Sequence, residues 1–96
     1  MRHTYLVCYD ITEDKRRDRV FKVCKNHGEH LQFSVFECDL NLSELAALQR
    51  ELLAVILPAN DQVLFVSLGP SEGRGDRVIA SLGKPYTKLD ATCYVV

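Results

Sequence analysis

Three segments of this sequence carry apolar side chains on both of their alternating faces, and this pattern limits the possible folds more than any other feature. The segments are residues 3–9, 31–38 and 61–68, and each has the composition of a β-strand. Successive side chains of a strand point to opposite faces of a sheet, so both faces of the resulting sheet must be covered. Helices of the same chain are expected to cover one face, and a second copy of the chain is the simplest cover for the other.

The segment after the first strand has the pattern of an amphipathic helix. Thr12 can cap it, and Glu13 and Asp14 in its first turn suit the positive end of the helix dipole. We expect this helix to run to about His27. It should end at Gly28, because glycine favours a left-handed C-terminal cap.

A second helix is predicted from residue 41 to Pro58. Asn41 and Glu44 form the pattern of a capping box, and leucines then recur at helical spacing. With one further short strand, placed either between Cys38 and Asn41 or after Pro70, the order of elements becomes βαββαβ. The sequence therefore predicts an α+β ferredoxin-like sandwich.

Composition indicates one domain over residues 1–96, with a core at 3–69 and a C-terminal loop and strand at 70–96. Hydrophobic residues make up 47% of the chain and charged residues 26%, as in globular proteins. Because the net charge is −1, nucleic-acid binding would depend on local basic clusters. No leader pattern or long apolar run is evident, so we expect a cytoplasmic protein without membrane contact. We interpret the widely spaced cysteines as small core residues: Cys8, Cys24, Cys38 and Cys93.

Asp10 is the candidate catalytic residue and metal ligand. It ends the first strand just before the first helix, where a carboxylate can project into a cleft and hold a hard cation such as Mg²⁺. One carboxylate alone is a poor magnesium site, but a two-fold interface on the uncovered sheet face could bring Asp10 of each copy together. The alternative is that Asp10 only caps the turn between strand and helix.

Two residues of the second strand are candidates for a supporting role. Ser34 and Phe36 are predicted to share a strand face with Gln32. A serine hydroxyl near a carboxylate could orient a metal-bound water. The alternative, and the more common case, is a serine whose hydroxyl is satisfied inside the core.

Basic residues of the first helix are candidate nucleic-acid contacts. One group lies on the solvated face and consists of Lys15, Arg19, Lys22 and Lys25. In a dimer this group would be duplicated, and it could follow a sugar-phosphate backbone without reading bases. Arg16 and Arg17 fall on the apolar side of the helix, where they would either neutralise buried carboxylates or grip a phosphate. Their residue type favours the ion pair.

Three motifs occur in order between residues 4 and 69. They are Tyr-Asp-Ile at 9–11 with Asp-Lys-Arg-Arg at 14–17 and Arg-Val at 19–20, then Gly28 with Gln-Phe-Ser-Val-Phe-Glu at 32–37, and then Asp-Gln-Val at 61–63 with Phe65 and Leu68. Together they resemble the signatures of the CRISPR-associated Cas-two family. The resemblance covers about two thirds of the chain, and the spacing of three motifs makes it specific.

The resemblance implies a ferredoxin-like homodimer packed sheet to sheet, with a C-terminal strand, here near 92–96, that adds to the partner's sheet. It also implies assembly with the Cas-one integrase, where the dimer bridges integrase subunits and lies against DNA during spacer acquisition. Members are described as magnesium-dependent endonucleases on RNA or duplex DNA, with the aspartate at Asp10 as metal ligand. The helix cations would then contact nucleic acid: Lys15, Arg16, Arg17, Arg19 and Lys22.

Three other functions compete with this one. A toxin-like RNA interferase of similar fold would share the aspartate and the dimer but act without an integrase. A non-catalytic RNA-binding module would use exposed aromatic residues, although the third strand lacks the required glycine-aromatic motif. A regulatory ligand-binding domain is the third alternative, and no phosphate-cradling glycine loop supports it.

Overall fold

The computed structural model describes residues 1–72 and 81–84. Its elements follow the order βαββαβ, which confirms the predicted α+β ferredoxin-like fold. They are β1 (His3–Asp10), α1 (Asp14–Lys25), β2 (Glu29–Gln32), β3 (Val35–Leu40), α2 (Leu42–Leu53) and β4 (Gln62–Pro70). The strand predicted at 92–96 lies outside the described residues. Neither of the two helices is long and apolar enough to cross a membrane, a finding that concerns the described residues alone.

The four strands form one antiparallel sheet in the order β2-β3-β1-β4. β1 lies in the interior of the sheet, and its register places Val7 opposite Phe36 of β3 and Phe65 of β4. Residues paired across antiparallel strands point to the same face. Val7 and its two partners therefore belong to one face, and residues one position along each strand belong to the other.

The prediction of a single strand over residues 31–38 is wrong, because the chain reverses direction within this segment. β2 and β3 form a tight hairpin whose turn contains Phe33 and Ser34, and Phe33 has a φ of 36°. The fourth strand of the fold arises from this split, so the predicted order is complete without a further strand between Cys38 and Asn41 or after Pro70. The turn has no glycine, proline or asparagine, and its residues alternate as those of a strand would, so no local turn signal was present.

Both helices begin at a side-chain cap. The capping box is confirmed: Asn41 accepts from the Glu44 amide at 2.8 Å, and the Glu44 carboxylate accepts from the Asn41 amide at 2.9 Å. In α1 the cap is Glu13, which accepts from the Arg16 amide, and the prediction of Thr12 is wrong. The Thr12 hydroxyl instead bonds a carboxylate on a distant loop, which removes it from the helix end.

Gly28 follows α1 for a reason other than a left-handed cap, since its φ is not positive. A Cβ at this position would overlap the Cys38 sulfur and come within 2.5 Å of the Glu37 carbonyl oxygen. Glycine is therefore needed because the chain passes directly against β3. The close approach brings the end of α1 onto the sheet.

The core lies between the two helices and one face of the sheet. Val20 and Cys24 of α1 and Leu48 and Leu52 of α2 are buried there with the sheet residues Val7, Tyr9, Phe36, Cys38 and Leu40. Burial raises the pKa of the Cys24 thiol to about 12 and that of Cys38 to about 11, with the Cys38 charge a further cause at Cys24. Both thiols are therefore neutral core groups, as expected. Cys8 is half-buried, and Cys93 lies outside the described residues.

The opposite face of the sheet, which we call the open face, carries apolar side chains without a helix over them in the described part of the chain. Leu6, Cys8 and Val35 are half-buried, while Leu64 and Val66 are 49% and 44% exposed. The prediction that the helices cover one face only is thus confirmed. Leu64 pairs with Cys8 and Val66 with Leu6, so the exposed groups form a continuous patch.

Two leucine-to-alanine substitutions in α2 test this placement of the core. Leu48 is fully buried and Leu53 is 62% exposed. Leu48→Ala should lower the free energy of unfolding by about 2–5 kcal/mol, because it leaves a cavity in a packed core. Leu53→Ala, the matched control, should change it by less than about 1 kcal/mol. Urea unfolding followed by circular dichroism measures both, and equal losses would contradict the assignment.

Candidate nucleic-acid and metal site

Asp10 lies at the end of β1, opposite Gln62, and its side chain is exposed. It continues the row formed by Leu6 and Cys8, so it belongs to the open face. Within the described residues no hydrogen bond or ion pair engages its carboxylate, and the cap of α1 is Glu13. The carboxylate is therefore available to an outside ligand.

A pocket of about 440 Å³ adjoins Asp10 between the end of β1, the first turns of α1 and the β2–β3 turn. Its lining residues are Tyr9, Asp10, Ile11, Arg17, Asp18, Phe21, Phe33 and Ser34. The backbone oxygen of Ser34 accepts from the Tyr9 amide at 3.1 Å, which holds the turn against β1. The structure thus brings the predicted residues Asp10 and Ser34 to one pocket.

Phe36 lies beneath this pocket and does not line it. Its side chain is fully buried, with its ring stacked on Tyr9 at a centroid distance of 6.2 Å and edge-on to Phe21 at 5.3 Å. The face shared with Gln32 is not formed, because the hairpin pairs Gln32 with Val35. Phe36 therefore contacts the rings that form the pocket floor and wall.

Asp61 holds the loop that follows Asp10. Its side chain is fully buried and accepts five hydrogen bonds, two from Arg16, two from Thr12 and one from the Leu57 amide. The Arg16 Nε to Asp61 Oδ2 distance is 2.9 Å, and the Arg16 side chain is only 17% exposed. Of the two roles considered for Arg16, the structure shows the ion pair. This cluster of Thr12, Arg16, Leu57 and Asp61 is called the Asp61 clasp below.

The Asp61 clasp is charged at neutral pH. The hydrogen bond from Arg16 is the largest cause that lowers the pKa of Asp61 far below its ordinary 3.8; the Leu57 amide and both Thr12 donors add to it, and burial opposes it. The same bond raises the pKa of Arg16. The clasp ties the loop before α1 to the loop before β4, and Thr12 is only two residues from Asp10. It therefore fixes the chain on the helix side of the candidate site.

The remaining predicted nucleic-acid contacts form an exposed basic surface on α1. It consists of Lys15, Arg17, Arg19 and Lys22. Arg17 is anchored at the pocket, since its guanidinium donates to Asp14 at 2.6 Å and to the Ile11 carbonyl at 2.9 Å. Among the described residues no ion pair engages Lys15, Arg19 or Lys22. These side chains are free to meet phosphates.

Asp10 could serve as one ligand of a magnesium ion, but the described residues do not supply the other ligands. In residues 1–72 and 81–84 no cluster of three or more His, Cys, Asp or Glu side chains could hold a metal ion. Mg²⁺ commonly binds through one or two carboxylates and completes its shell with water and substrate phosphates. An exposed, unengaged carboxylate fits that pattern, provided that a second carboxylate or a phosphate comes from outside this chain.

Comparison with known proteins identifies the family. Residues 2–73 match the family model described as CRISPR associated protein Cas2. The chain belongs to the Cas2 family. A Rhodospirillum rubrum protein named CRISPR-associated endoribonuclease Cas2 1 is 37% identical over 94 residues, which span 98% of this chain and 91% of that protein. A second relative, CRISPR-associated endoribonuclease Cas2 2 of Thermodesulfovibrio yellowstonii, is 40% identical over 81% of this chain and 91% of its own length.

Solved structures agree with the assignment to Cas2. The hypothetical protein TT1823 of Thermus thermophilus superimposes with a TM-score of 0.74 and 28% identity, covering 91% of this chain and 100% of that one. Cas2 of Streptococcus pyogenes, solved at pH 6.5, superimposes with a TM-score of 0.66 and 29% identity, covering 80% of this chain and 99% of that one. The resemblance inferred from the three motifs is therefore confirmed.

Two residues of this region were missed as site residues. Asp61 was noted only as part of a motif, although Arg16 on the apolar side of a helix indicated a buried carboxylate partner somewhere in the chain. Phe33 was assigned to a strand, and its exposure follows from the turn. Neither position could be derived locally, because each depends on which segments meet.

The pH dependence of stability tests the Asp61 clasp. A carboxylate whose pKa is lowered in the folded state stabilises the protein above its unfolded pKa, and this contribution is lost as the pH falls through the folded value. Asp61→Asn should melt about 10 °C or more below the natural protein at pH 7, because it leaves Arg16 without its buried partner. The difference should shrink as the pH falls below 3.8.

The matched control is Asp14→Asn, which removes the ion-pair partner of Arg17. The Asp14 side chain is 90% exposed. An exposed ion pair contributes little, so this variant should melt within about 4 °C of the natural protein. Thermal melts from pH 7 to pH 2 measure all three proteins. A gap between the natural protein and Asp61→Asn that stays constant over this range would contradict the role of the clasp.

Proposed function

We propose that this Cas2-family chain is a cytoplasmic CRISPR adaptation protein that acts as a homodimer, bridges Cas-one integrase subunits and binds DNA during spacer acquisition. We further propose that Asp10 supports magnesium-dependent endonuclease activity on RNA or duplex DNA. The observation that carries both parts concerns the described residues, in which no hydrogen bond or ion pair engages the Asp10 carboxylate and no helix covers the apolar sheet face beside it. The relatives named endoribonuclease support the second part.

The open face supports the homodimer. Leu64 and Val66 expose about half of their surface on a four-stranded sheet whose other face is buried under helices. Contiguous exposed apolar surface of this kind marks an interaction site in a soluble protein. Packing against a two-fold copy would bury the same patch on both subunits, and it would place two Asp10 carboxylates at one interface.

The basic surface of α1 supports contact with nucleic acid in spite of the net charge of −1. The helix itself is locally cationic, since α1 contains six Lys and Arg residues against Asp14 and Asp18. Lys15, Arg19 and Lys22 extend along the exposed side of one helix. Such cations bind phosphates without sequence readout, which suits a bridge that accepts DNA of any sequence.

Hydrolysis would depend on few groups of this chain. Asp10 would hold the metal ion, which on binding polarises a phosphodiester and lowers the pKa of a water. Arg17, fixed at the pocket mouth by Asp14 and the Ile11 carbonyl, would stabilise negative charge that develops on the phosphate. Ser34, in the same pocket, would orient a water through its hydroxyl.

A charge on the open face should abolish the dimer. Leu64→Lys would bury an ammonium group in an apolar interface, so it should shift the protein to monomer at concentrations where the natural protein is dimeric. Leu53→Lys is the control, because it makes the same change at an exposed helix position. Sedimentation velocity measures the state, with circular dichroism as the check on folding. A folded Leu64→Lys protein that remains dimeric would overturn the proposed interface.

Removal of the carboxylate should abolish cleavage and leave assembly intact. Asp10→Asn and Asp10→Ala should reduce cleavage of labelled RNA or duplex DNA in Mg²⁺ by about a hundredfold or more, and EDTA should do the same to the natural protein. Glu72→Gln, a neutralisation of an exposed carboxylate at the far end of the sheet, should leave the rate unchanged. All four proteins should form the integrase complex equally.

The two parts of the proposal separate in this experiment. Cleavage that needs both Mg²⁺ and Asp10 would establish the nuclease. Assembly and DNA binding by a natural protein that cleaves neither substrate would remove hydrolysis and leave the bridge. Cleavage by a protein that does not assemble with the integrase would instead favour the toxin-like interferase.

A further inference from the structure

Phe33 projects from the β2–β3 turn with 86% of its surface exposed. Its φ of 36° lies in the left-handed region, which a bulky side chain rarely occupies. The exposed ring contributes almost no burial to the fold and the strained backbone opposes folding, so stability alone does not explain a phenylalanine here. Conformations of this kind concentrate at binding and catalytic sites, so Phe33 is a candidate contact residue.

The turn that carries Phe33 is anchored on both sides. The Phe33 carbonyl accepts a hydrogen bond from His30 Nε2 at 2.7 Å, and the His30 ring packs edge-on against Phe21 at 4.9 Å. The next residue, Ser34, accepts from the Tyr9 amide. Phe33 is therefore presented at a defined position, which reduces the entropy lost when a ligand packs on its ring.

The pocket beside Phe33 combines aromatic, cationic and hydroxyl groups, with the carboxylates of Asp10 and Asp18 also on its lining. Its volume of about 440 Å³ is within the range of small-ligand sites. Phe33 and Phe21 supply aromatic surface, Arg17 supplies positive charge and Ser34 a hydroxyl. Aromatic rings bind bases by stacking, and they do so with little regard to sequence. Asp10, on the same lining, is the group proposed to act on a phosphate.

We propose that the β2–β3 turn is a base-stacking subsite, in which Phe33 stacks on an unpaired nucleobase next to the phosphate that a metal ion at Asp10 would contact. The inference rests on the proposed function of Asp10 and adds a second contact in the same pocket. A base inside a duplex has both faces covered by its neighbours, so Phe33 accepts a base only from a single strand or an unpaired end. The subsite therefore selects the state of the strand rather than its sequence.

Substitutions at Phe33 test the subsite without loss of folding. Asn tolerates a positive φ better than Phe, so Phe33→Asn removes the ring and should melt at or above the temperature of the natural protein. Phe33→Trp keeps a stacking ring, and Phe33→Leu keeps apolar bulk without one. All are made together with Asp10→Asn and assayed in EDTA, so that cleavage does not interfere.

The probe is a labelled single-stranded oligonucleotide that contains 2-aminopurine, used alone and annealed to its complement. The reference is the Asp10→Asn protein that keeps Phe33, called the Phe33 protein. Phe33→Asn and Phe33→Leu should bind the single strand about tenfold more weakly than this reference, with duplex binding unchanged, and Phe33→Trp should restore binding. The 2-aminopurine fluorescence should be quenched by stacking only when an aromatic ring is present.

Several outcomes would overturn the subsite. They are unchanged single-strand binding by Phe33→Asn, equal losses for the single strand and the duplex, binding by Phe33→Leu as tight as by Phe33→Trp, or no single-strand binding by the Phe33 protein. Cleavage by the natural protein is assayed separately. Ring-dependent binding without any cleavage would support the subsite and refute the hydrolysis proposed for Asp10, whereas cleavage without ring-dependent binding would refute the subsite alone.

Discussion

The buried ion pair between Arg16 and Asp61 joins two parts of the chain that are distant in sequence. Asp61 is completely removed from solvent, and a carboxylate in that environment is tolerated only when its charge and its hydrogen-bonding capacity are both satisfied. Arg16 supplies the charge, while Thr12 and the Leu57 amide supply further donors. The loop after β1, the start of α1 and the loop before β4 are thereby fixed to one another. Asp10, the last residue of β1, lies directly before this fixed loop.

This arrangement divides the basic residues of α1 between two tasks. Arg16 turns inward and neutralises a buried carboxylate, while Lys15, Arg19 and Lys22 remain on the solvated side. Arg17 lies between these groups, with its guanidinium held at the pocket by Asp14 and a backbone carbonyl. A chain with a net charge of −1 can thus present a local cationic surface, because α1 contains six Lys and Arg residues against two Asp residues.

The sheet separates stability from interaction in a similar way. On one face Val7, Phe36 and the helix residue Leu48 exclude water and contribute the hydrophobic free energy of the fold. On the open face, equally apolar residues such as Leu64 stay exposed in the described part of the chain, and a partner surface packed there would remove them from water. Asp10 and the β2–β3 turn lie at the edge of the open face, so a ligand bound there would lie at the edge of the proposed dimer interface.

The amino-acid pattern alone determined the α+β class, the family, the helix cap at Asn41, the apolar character of both sheet faces and the position of Asp10 at a strand end. These features depend on residue period and local hydrogen bonding, which are properties of neighbouring residues. Only the tertiary structure decided that residues 31–38 form a hairpin, that Gly28 is required by β3, that Asp61 is the partner of Arg16 and that Phe33 is exposed beside Asp10. Each of these depends on how strands, helices and loops pack against one another, which residue period and local hydrogen bonding do not specify.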